Sequence, residues 1–251
     1  MQQVDLNILL NSTEKVAKSA ARNLFKNLDK YRDIRLNFTR DVKIEADHML
    51  HSYIIEKLAQ ISDYPIVSEE NPFNPKFDRG FCWILDPLDG SLNFSRGIPI
   101  CCISISLWKD MKPLLGVVYD FNRYETFSGL VGKGAWLNGK PIRVSKISGK
   151  AKAILCTGFP VSTNFSSKSL AKFVEEIRSH QKVRLLGSAA VSLAYVSCGR
   201  ADFYMENDIK IWDVAAGLCL VKAAGGEIRY QRSTCEYVFN VRAGNHFFFK
   251  Q

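Results

Sequence analysis

The stretch Phe81-Cys82-Trp83-Ile84-Leu85-Asp86-Pro87-Leu88-Asp89-Gly90-Ser91 constrains this chain more than any other. Its apolar run reads as a buried strand. Asp-Pro and Asp-Gly then punctuate a turn. Such a turn holds Asp86 and Asp89 close together with the Leu88 carbonyl between them. Two carboxylates forced together repel and lose hydration unless a cation joins them. A donor set made only of oxygen suits a hard ion such as Mg²⁺. The local string therefore points to a metal-dependent enzyme, although Asp is also an ordinary turn residue.

The rest of the chain agrees with an enzyme-sized globular protein. It has 251 residues, 47% of them hydrophobic, enough for one large domain or two small ones. No stretch approaches the roughly 18–20 apolar residues that span a bilayer. The start, Met1-Gln2-Gln3-Val4-Asp5-Leu6, lacks the basic and apolar blocks of a secretion signal. The seven cysteines form no CxxC pair. Cys82, Cys101, Cys102, Cys156, Cys198 and Cys219 sit among apolar neighbours and read as reduced core thiols. These features favour the cytoplasm. The formal charge of +9 attracts anions. The basic residues are scattered, with no arginine-rich stripe, so nucleic acid is disfavoured as a direct substrate.

Residues from about Val4 to Asp29 carry Leu6, Leu9, Leu10, Val16, Ala17, Ala20 and Leu24 at mostly helical spacing. Ala46 to Ala59 repeats the pattern. A short strand is expected over Tyr64–Val67, followed by Ser68-Glu69-Glu70. Ile98–Trp108, Pro113–Tyr119 and Tyr124–Leu130 have strand composition. Asn138-Gly139 marks a tight hairpin. After about Ser145 the elements alternate. Strands are expected over Ala153–Thr157, Val183–Leu186 and Ala201–Met205, and helices over Ser167–His180, Ser188–Ser197 and Asp213–Ala224. That order suggests an α+β half followed by an α/β half.

In order, the chain offers Asp47 in a helical segment, Glu69-Glu70 after a strand and Asp86-Pro87-Leu88-Asp89-Gly90-Ser91 after another. Trp212-Asp213 then stands at a helix start, with Gly225-Gly226 beyond its end. This set resembles the inositol monophosphatase family of Mg²⁺-dependent, lithium-sensitive phosphatases. Its superfamily includes fructose-1,6-bisphosphatases and bisphosphate nucleotidases. The resemblance runs from about Asp41 to Gly226, and more loosely over the whole chain. It implies an α/β (α+β) fold, a layered αβαβα sandwich, and a homodimer. One continuous family domain would have a half at 1–145 carrying most metal ligands. The other, 146–251, would carry Asp213 and substrate-pocket residues.

The resemblance also implies roles. Glu69, Asp86 and the Leu88 carbonyl would hold a first Mg²⁺, and Asp86, Asp89 and Asp213 a second. A third ion near Glu69 is allowed, with Mn²⁺ as a substitute and Li⁺ as an inhibitor. Asp47 and the Ser91 hydroxyl would orient the attacking water. Glu70 is placed with these catalytic groups, with direct ligation, support of a ligand and plain exposure to solvent as its alternatives. Gly90 and Ser91 would offer backbone N–H groups to the phosphate. Glu206 would accept from substrate hydroxyls, and Gly187, Ser188 and Ala189 would line the substrate pocket. His48, His51, His180 and His246 show no paired ligand spacing and read as structural or exposed.

Plainer alternatives stand beside these roles. Asp213 could be only an N-cap, Asp47 a solvated helix residue, and Ser91 a simple cap. Glu206 could instead pair with a lysine. Two departures from the family pattern are visible. Ile44 replaces a threonine before Asp47, and Asn207-Asp208-Ile209-Lys210 follows Glu206. Asp208 and Lys210 could alter the alcohol accepted.

The expected activity is a Mg²⁺-dependent phosphomonoesterase acting on inositol-1-phosphate or related sugar and polyol phosphates. One alternative is a 3′(2′),5′-bisphosphate nucleotidase. Another is a regulatory protein associated with RNA polymerase or ribosomes that keeps residual phosphatase activity.

Overall fold

The computed structural model describes residues 5–26, 45–159, 163, 165–233 and 235–250, and the backbone at 34–37 and 42–44. Val4, Asp29, Asp41 and the side chain of Ile44 lie outside the described residues. Two sheets and their helices form stacked layers. The outermost layer is α1 (Leu6–Phe25) with α2 (Glu45–Ala59). Asp5 caps α1 by accepting from the Asn7 and Ile8 amides. Leu10, Ala17, Leu24, Leu50 and Ile54 bury one face of this pair against the first sheet.

That sheet has seven strands in the order β3-β4-β5-β6-β7-β8-β9. They are β3 (Ile66–Ser68), β4 (Phe81–Asp89), β5 (Cys102–Lys109), β6 (Lys112–Asp120), β7 (Glu125–Leu130), β8 (Gly134–Leu137) and β9 (Lys140–Ile142). Successive side chains alternate faces. Ile103, Ile105 and Leu107 meet the outer helices, while Cys102 turns to the opposite face and packs with Ala216. The β8–β9 turn uses Asn138 and Gly139 with positive φ, 49° and 78°, as the Asn-Gly pair predicts. Separately, β1 (Ile34–Asn37) and β2 (Val42–Ile44) form a two-stranded ribbon.

The middle layer is α5 (Ala189–Ser197) with α6 (Ile211–Ala223). Its apolar residues lie on all sides because it packs between two sheets. Val214, Ala215 and Leu218 cluster with Ile84 and Trp108 of the first sheet and with Tyr204, Phe239 and Val241 of the second. Small residues set the spacing. A Cβ at Gly116 would stand 2.6 Å from the Ala216 carbonyl, so α6 rests directly on the sheet backbone there.

The second sheet has the order β11-β10-β12-β14-β13. Its strands are β10 (Ile154–Cys156), β11 (Lys182–Arg184), β12 (Phe203–Lys210), β13 (Glu227–Arg232) and β14 (Val238–Gly244). The final layer contains α4 (Ser167–Arg178), whose Phe173 and Ile177 pack on Leu155, Phe203 and Met205. A short helix, α3 (Ser91–Ser95), follows β4. Among the described residues no helix is long and apolar enough to cross a membrane.

Two local expectations change. The segment Asp86–Asp89 is not a turn after the strand; β4 continues through it. Asp213 is not the cap of its helix. Lys210 holds that position, and Asp213 lies in the first turn. The strands β13 and β14 add a C-terminal hairpin beyond the elements expected from composition. In β13, Ile228 and Tyr230 alternate inward among charged residues.

Candidate metal centre and substrate cavity

Strand register explains how Asp86 and Asp89 meet. In an uninterrupted strand, side chains three positions apart point to opposite faces. Here Asp86 pairs with Ser104, Asp89 pairs with Cys102, and the register shifts between them. Three steps on β4 therefore oppose two steps on β5, a bulge that brings both carboxylates to one face. Pro87 falls within this interruption, where a missing N–H does least harm. The Leu88 amide donates to Asp86 Oδ1 at 3.0 Å.

Glu69 arrives from the neighbouring strand. Ser68 pairs with Leu85, and the Glu69 amide donates to the Leu85 carbonyl at 3.3 Å. This sets Glu69 beside Asp86. Asp213 comes from the opposite side, in the first turn of α6, where a carboxylate suits the helix dipole. Ligand oxygens of Glu69, Asp86 and Asp213 all lie within 4.8 Å of one another. Like charges this close are costly, and an all-carboxylate donor set of mixed burial fits a hard divalent ion.

Asp89 stands beside this trio but is not one of its three members. Its Oδ2 accepts from the Ser188 hydroxyl at 2.5 Å and the Ala190 amide at 2.7 Å. Burial pushes its carboxyl up, those two donors hold it down, and the charge of Glu69 adds to the rise. Glu70 is half-buried in the turn after β3 and lies outside the trio.

Asp47 and Ser91 meet as a pair. Asp47 is buried in the first turn of α2. The Ser91 hydroxyl lies 2.6 Å from Asp47 Oδ1 and 2.9 Å from the Leu88 carbonyl, sharing one proton between two acceptors. Gly90 precedes α3 with φ of 91°. A Cβ there would also stand 2.8 Å from the Ile100 carbonyl, so the position requires glycine twice over.

Glu206 lies in β12 just before a register shift between Glu206 and Ile209. The Tyr204 hydroxyl donates to its Oε2 at 2.7 Å. Burial pushes this carboxyl up to about 7, the Tyr204 hydrogen bond opposes that, and the charge of Asp89 adds to it. The group opens into a cavity of about 230 Å³ that Asp208 also lines. Lys210 is not among the lining residues; its Nζ sits 5.4 Å from the Trp212 ring centre.

Gly187, Ser188 and Ala189 do not line that cavity. Ser188 caps α5, accepting from the Val191 amide, and its hydroxyl serves Asp89. The Asn93 amide group donates to the Ile100 and Leu186 carbonyls at 2.8 and 2.9 Å. It ties α3 to the chain leading into Gly187 and Ser188. The placements of Asn93 and Tyr204 have no periodic signal in the sequence. His180 is buried and stacked on Phe203, whereas His246 is exposed. Cys82, Cys101, Cys102, Cys156 and Cys219 are buried, Cys198 is half-buried and Cys235 is exposed.

Comparison with known proteins gives this geometry a context. The family model described as the inositol monophosphatase family matches residues 5–244. The Nus factor SuhB of Xylella fastidiosa is 36% identical over 232 residues, covering 91% of this chain and 82% of that protein. The inositol-1-monophosphatase of Synechocystis is 39% identical over 188 residues, 74% of this chain and 66% of its own length. A solved inositol monophosphatase from Anabaena (Nostoc) superposes with a TM-score of 0.82 at 31% identity, covering 98% of this chain and 93% of that one. Fold and relatives together define an enzyme that hydrolyses phosphoric monoesters. Within that class, the chain belongs to the inositol monophosphatase family.

Proposed function

We propose that the chain is a Mg²⁺-dependent phosphomonoesterase for inositol-1-phosphate or related sugar and polyol phosphates. The observation that carries this reading is the convergence of Glu69, Asp86 and Asp213 within 4.8 Å. Those three carboxylates, with Asp89 and the Leu88 carbonyl beside them, would hold two Mg²⁺ ions; a third near Glu69 and replacement by Mn²⁺ belong to the same reading. Bound there, such ions supply an acidified water, charge neutralisation of the phosphoryl oxygens and stabilisation of the leaving alkoxide.

The chain's own groups do the rest. Asp47 and Ser91, already hydrogen-bonded, orient a water through a shared proton, with Glu70 in support. Backbone N–H groups of Gly90 and Ser91 meet the phosphate. Glu206 accepts from the hydroxyls of the departing alcohol, and Ser188 holds Asp89 in place for its part. Phosphate release from a panel of small phosphomonoesters, with and without Mg²⁺ and Li⁺, tests the reading. No turnover of any of them by metal-loaded protein refutes it. A cytoplasmic homodimer is part of the same proposal, and sedimentation checks the stoichiometry.

A second reading is a regulatory role, favoured by the similarity to a protein named Nus factor SuhB and by the +9 charge. Asp89→Asn separates the two. Cellular function that survives while phosphate release vanishes assigns the main role to regulation.

A further inference from the structure

The cavity around Glu206 carries information about the alcohol half of the substrate. This step rests on the phosphomonoesterase reading and narrows its substrate class. Thr157 is one of the cavity's lining residues and is 4% exposed. Its Oγ1 has no hydrogen-bond partner among the described residues. Beside it, Gly158 lies against the Glu206 carboxylate so closely that a Cβ would stand 2.8 Å from Oε1. The glycine keeps that face of the carboxylate clear of side chain. Phe159 and Phe173, with ring centres 4.7 Å apart, supply an aromatic wall.

Charge decides what fits. Glu206 and Asp208 both line the cavity, and no lysine or arginine does among the described residues. Asp208 Oδ1 accepts from the Ser233 hydroxyl. A second phosphate placed here would meet two carboxylates and, among the described residues, no cation. An ammonium would meet two acceptors and an aromatic face, the setting in which cations bind. The volume of about 230 Å³ is below the roughly 300–1,000 Å³ of sites for drug-sized ligands, so the alcohol is small.

We propose that this cavity seats the alcohol half of the substrate and selects a small amino alcohol or amino sugar monophosphate, rejecting esters with a second phosphate. The ammonium donates to Glu206 and faces Asp208. Lys210, turned over Trp212, offers no cation inside the cavity.

The test compares a hexose 1-phosphate, the matching 2-amino-2-deoxyhexose 1-phosphate and the hexose 1,6-bisphosphate, with p-nitrophenyl phosphate as a general substrate. The amino ester should exceed the neutral ester in kcat/KM by about 10- to 100-fold, the value of a hydrogen bond to a charged group. The bisphosphate should be the slowest of the three. Glu206→Gln and Asp208→Asn should each shrink the amino-to-neutral ratio at least about fivefold, a part of that same hydrogen-bond value. Calorimetry with the free amino hexose on metal-free protein supplies a readout independent of turnover, and should show tighter binding than the neutral hexose.

A ratio near one, or a bisphosphate turned over as fast as the neutral ester, overturns the inference while p-nitrophenyl phosphate turnover upholds the phosphatase reading. If no ester is hydrolysed, the phosphatase reading falls. Calorimetry then judges the cavity alone, and equal affinity for the two hexoses overturns the inference.

Discussion

Replacing Glu206 by glutamine should stabilise the metal-free protein at alkaline pH, and the gain should vanish in acid. Glu206 is 8% exposed, and burial raises its carboxyl from the ordinary 4.5 to about 7. The folded protein therefore holds the proton more tightly than the unfolded chain does. Where the folded state binds more protons, stability falls as pH rises. Nothing is lost below pH 4.5, where both states are protonated. The loss accumulates between 4.5 and about 7 and is complete above that window. Each tenfold change in proton affinity is worth about 1.4 kcal/mol, so the full cost is about 3 kcal/mol. Glutamine is close in shape, stays neutral, and can still accept from the Tyr204 hydroxyl. Urea denaturation of both proteins in chelator, from pH 4.5 to 8.5, gives the comparison. Near pH 4.5 the two midpoints should nearly coincide; at pH 8 the variant should lead by about 3 kcal/mol. Two curves that stay parallel across the whole range would refute the claim that burial governs this carboxyl.

Asp213→Asn should weaken the apparent affinity for Mg²⁺ by at least about tenfold, since even residues supporting a metal ligand cost 10- to 100-fold when changed. Its far-ultraviolet circular dichroism should be unchanged, and without metal it should melt above the wild type because one of three crowded charges is gone. Ser91→Ala removes the hydroxyl between Asp47 and Leu88. It should lower kcat by roughly 10²–10⁴-fold, the scale of a positioned proton-transfer group, with little change in KM; a normal kcat in steady-state assays would remove Ser91 from the mechanism. Gly116→Ala pushes a methyl against the Ala216 carbonyl at 2.6 Å. Overpacking of this kind costs about 1–3 kcal/mol, which thermal unfolding would register as a lower midpoint.

The sequence discloses the parts of this molecule whose causes are local. The apolar run before Asp86 marks β4, the helical spacing of Leu9, Ala17 and Leu24 marks α1, and Asn138-Gly139 marks its hairpin. The acids Glu69, Asp86 and Asp213 could be named because each follows a readable element boundary. Their meeting could not be read from spacing alone; it entered through family resemblance. The bulge that aligns Asp86 with Asp89 depends on pairing with Ser104 and Cys102, and a strand does not contain its partner's register. For that reason the segment reads as a turn when taken by itself.

The cavity is still harder to read because it depends on side chains that are missing. Gly158 matters through the carboxylate it leaves uncovered, and Gly116 through the helix it lets approach. Neither effect leaves a periodic mark. Thr157 directly follows one strand, Tyr204 and Glu206 belong to another, and Phe173 to a helix. No window of sequence holds them together. On the proposed reading, the catalytic side rests on short-range carboxylate chemistry that the Asp86–Ser91 motif announces in part. On the same reading, the specificity side is assembled across the second sheet from residues that look like ordinary core. If so, changes near Glu206 would redirect the alcohol accepted while the Asp86–Ser91 segment stays as it is, and a substrate class assigned from that segment alone would miss the change.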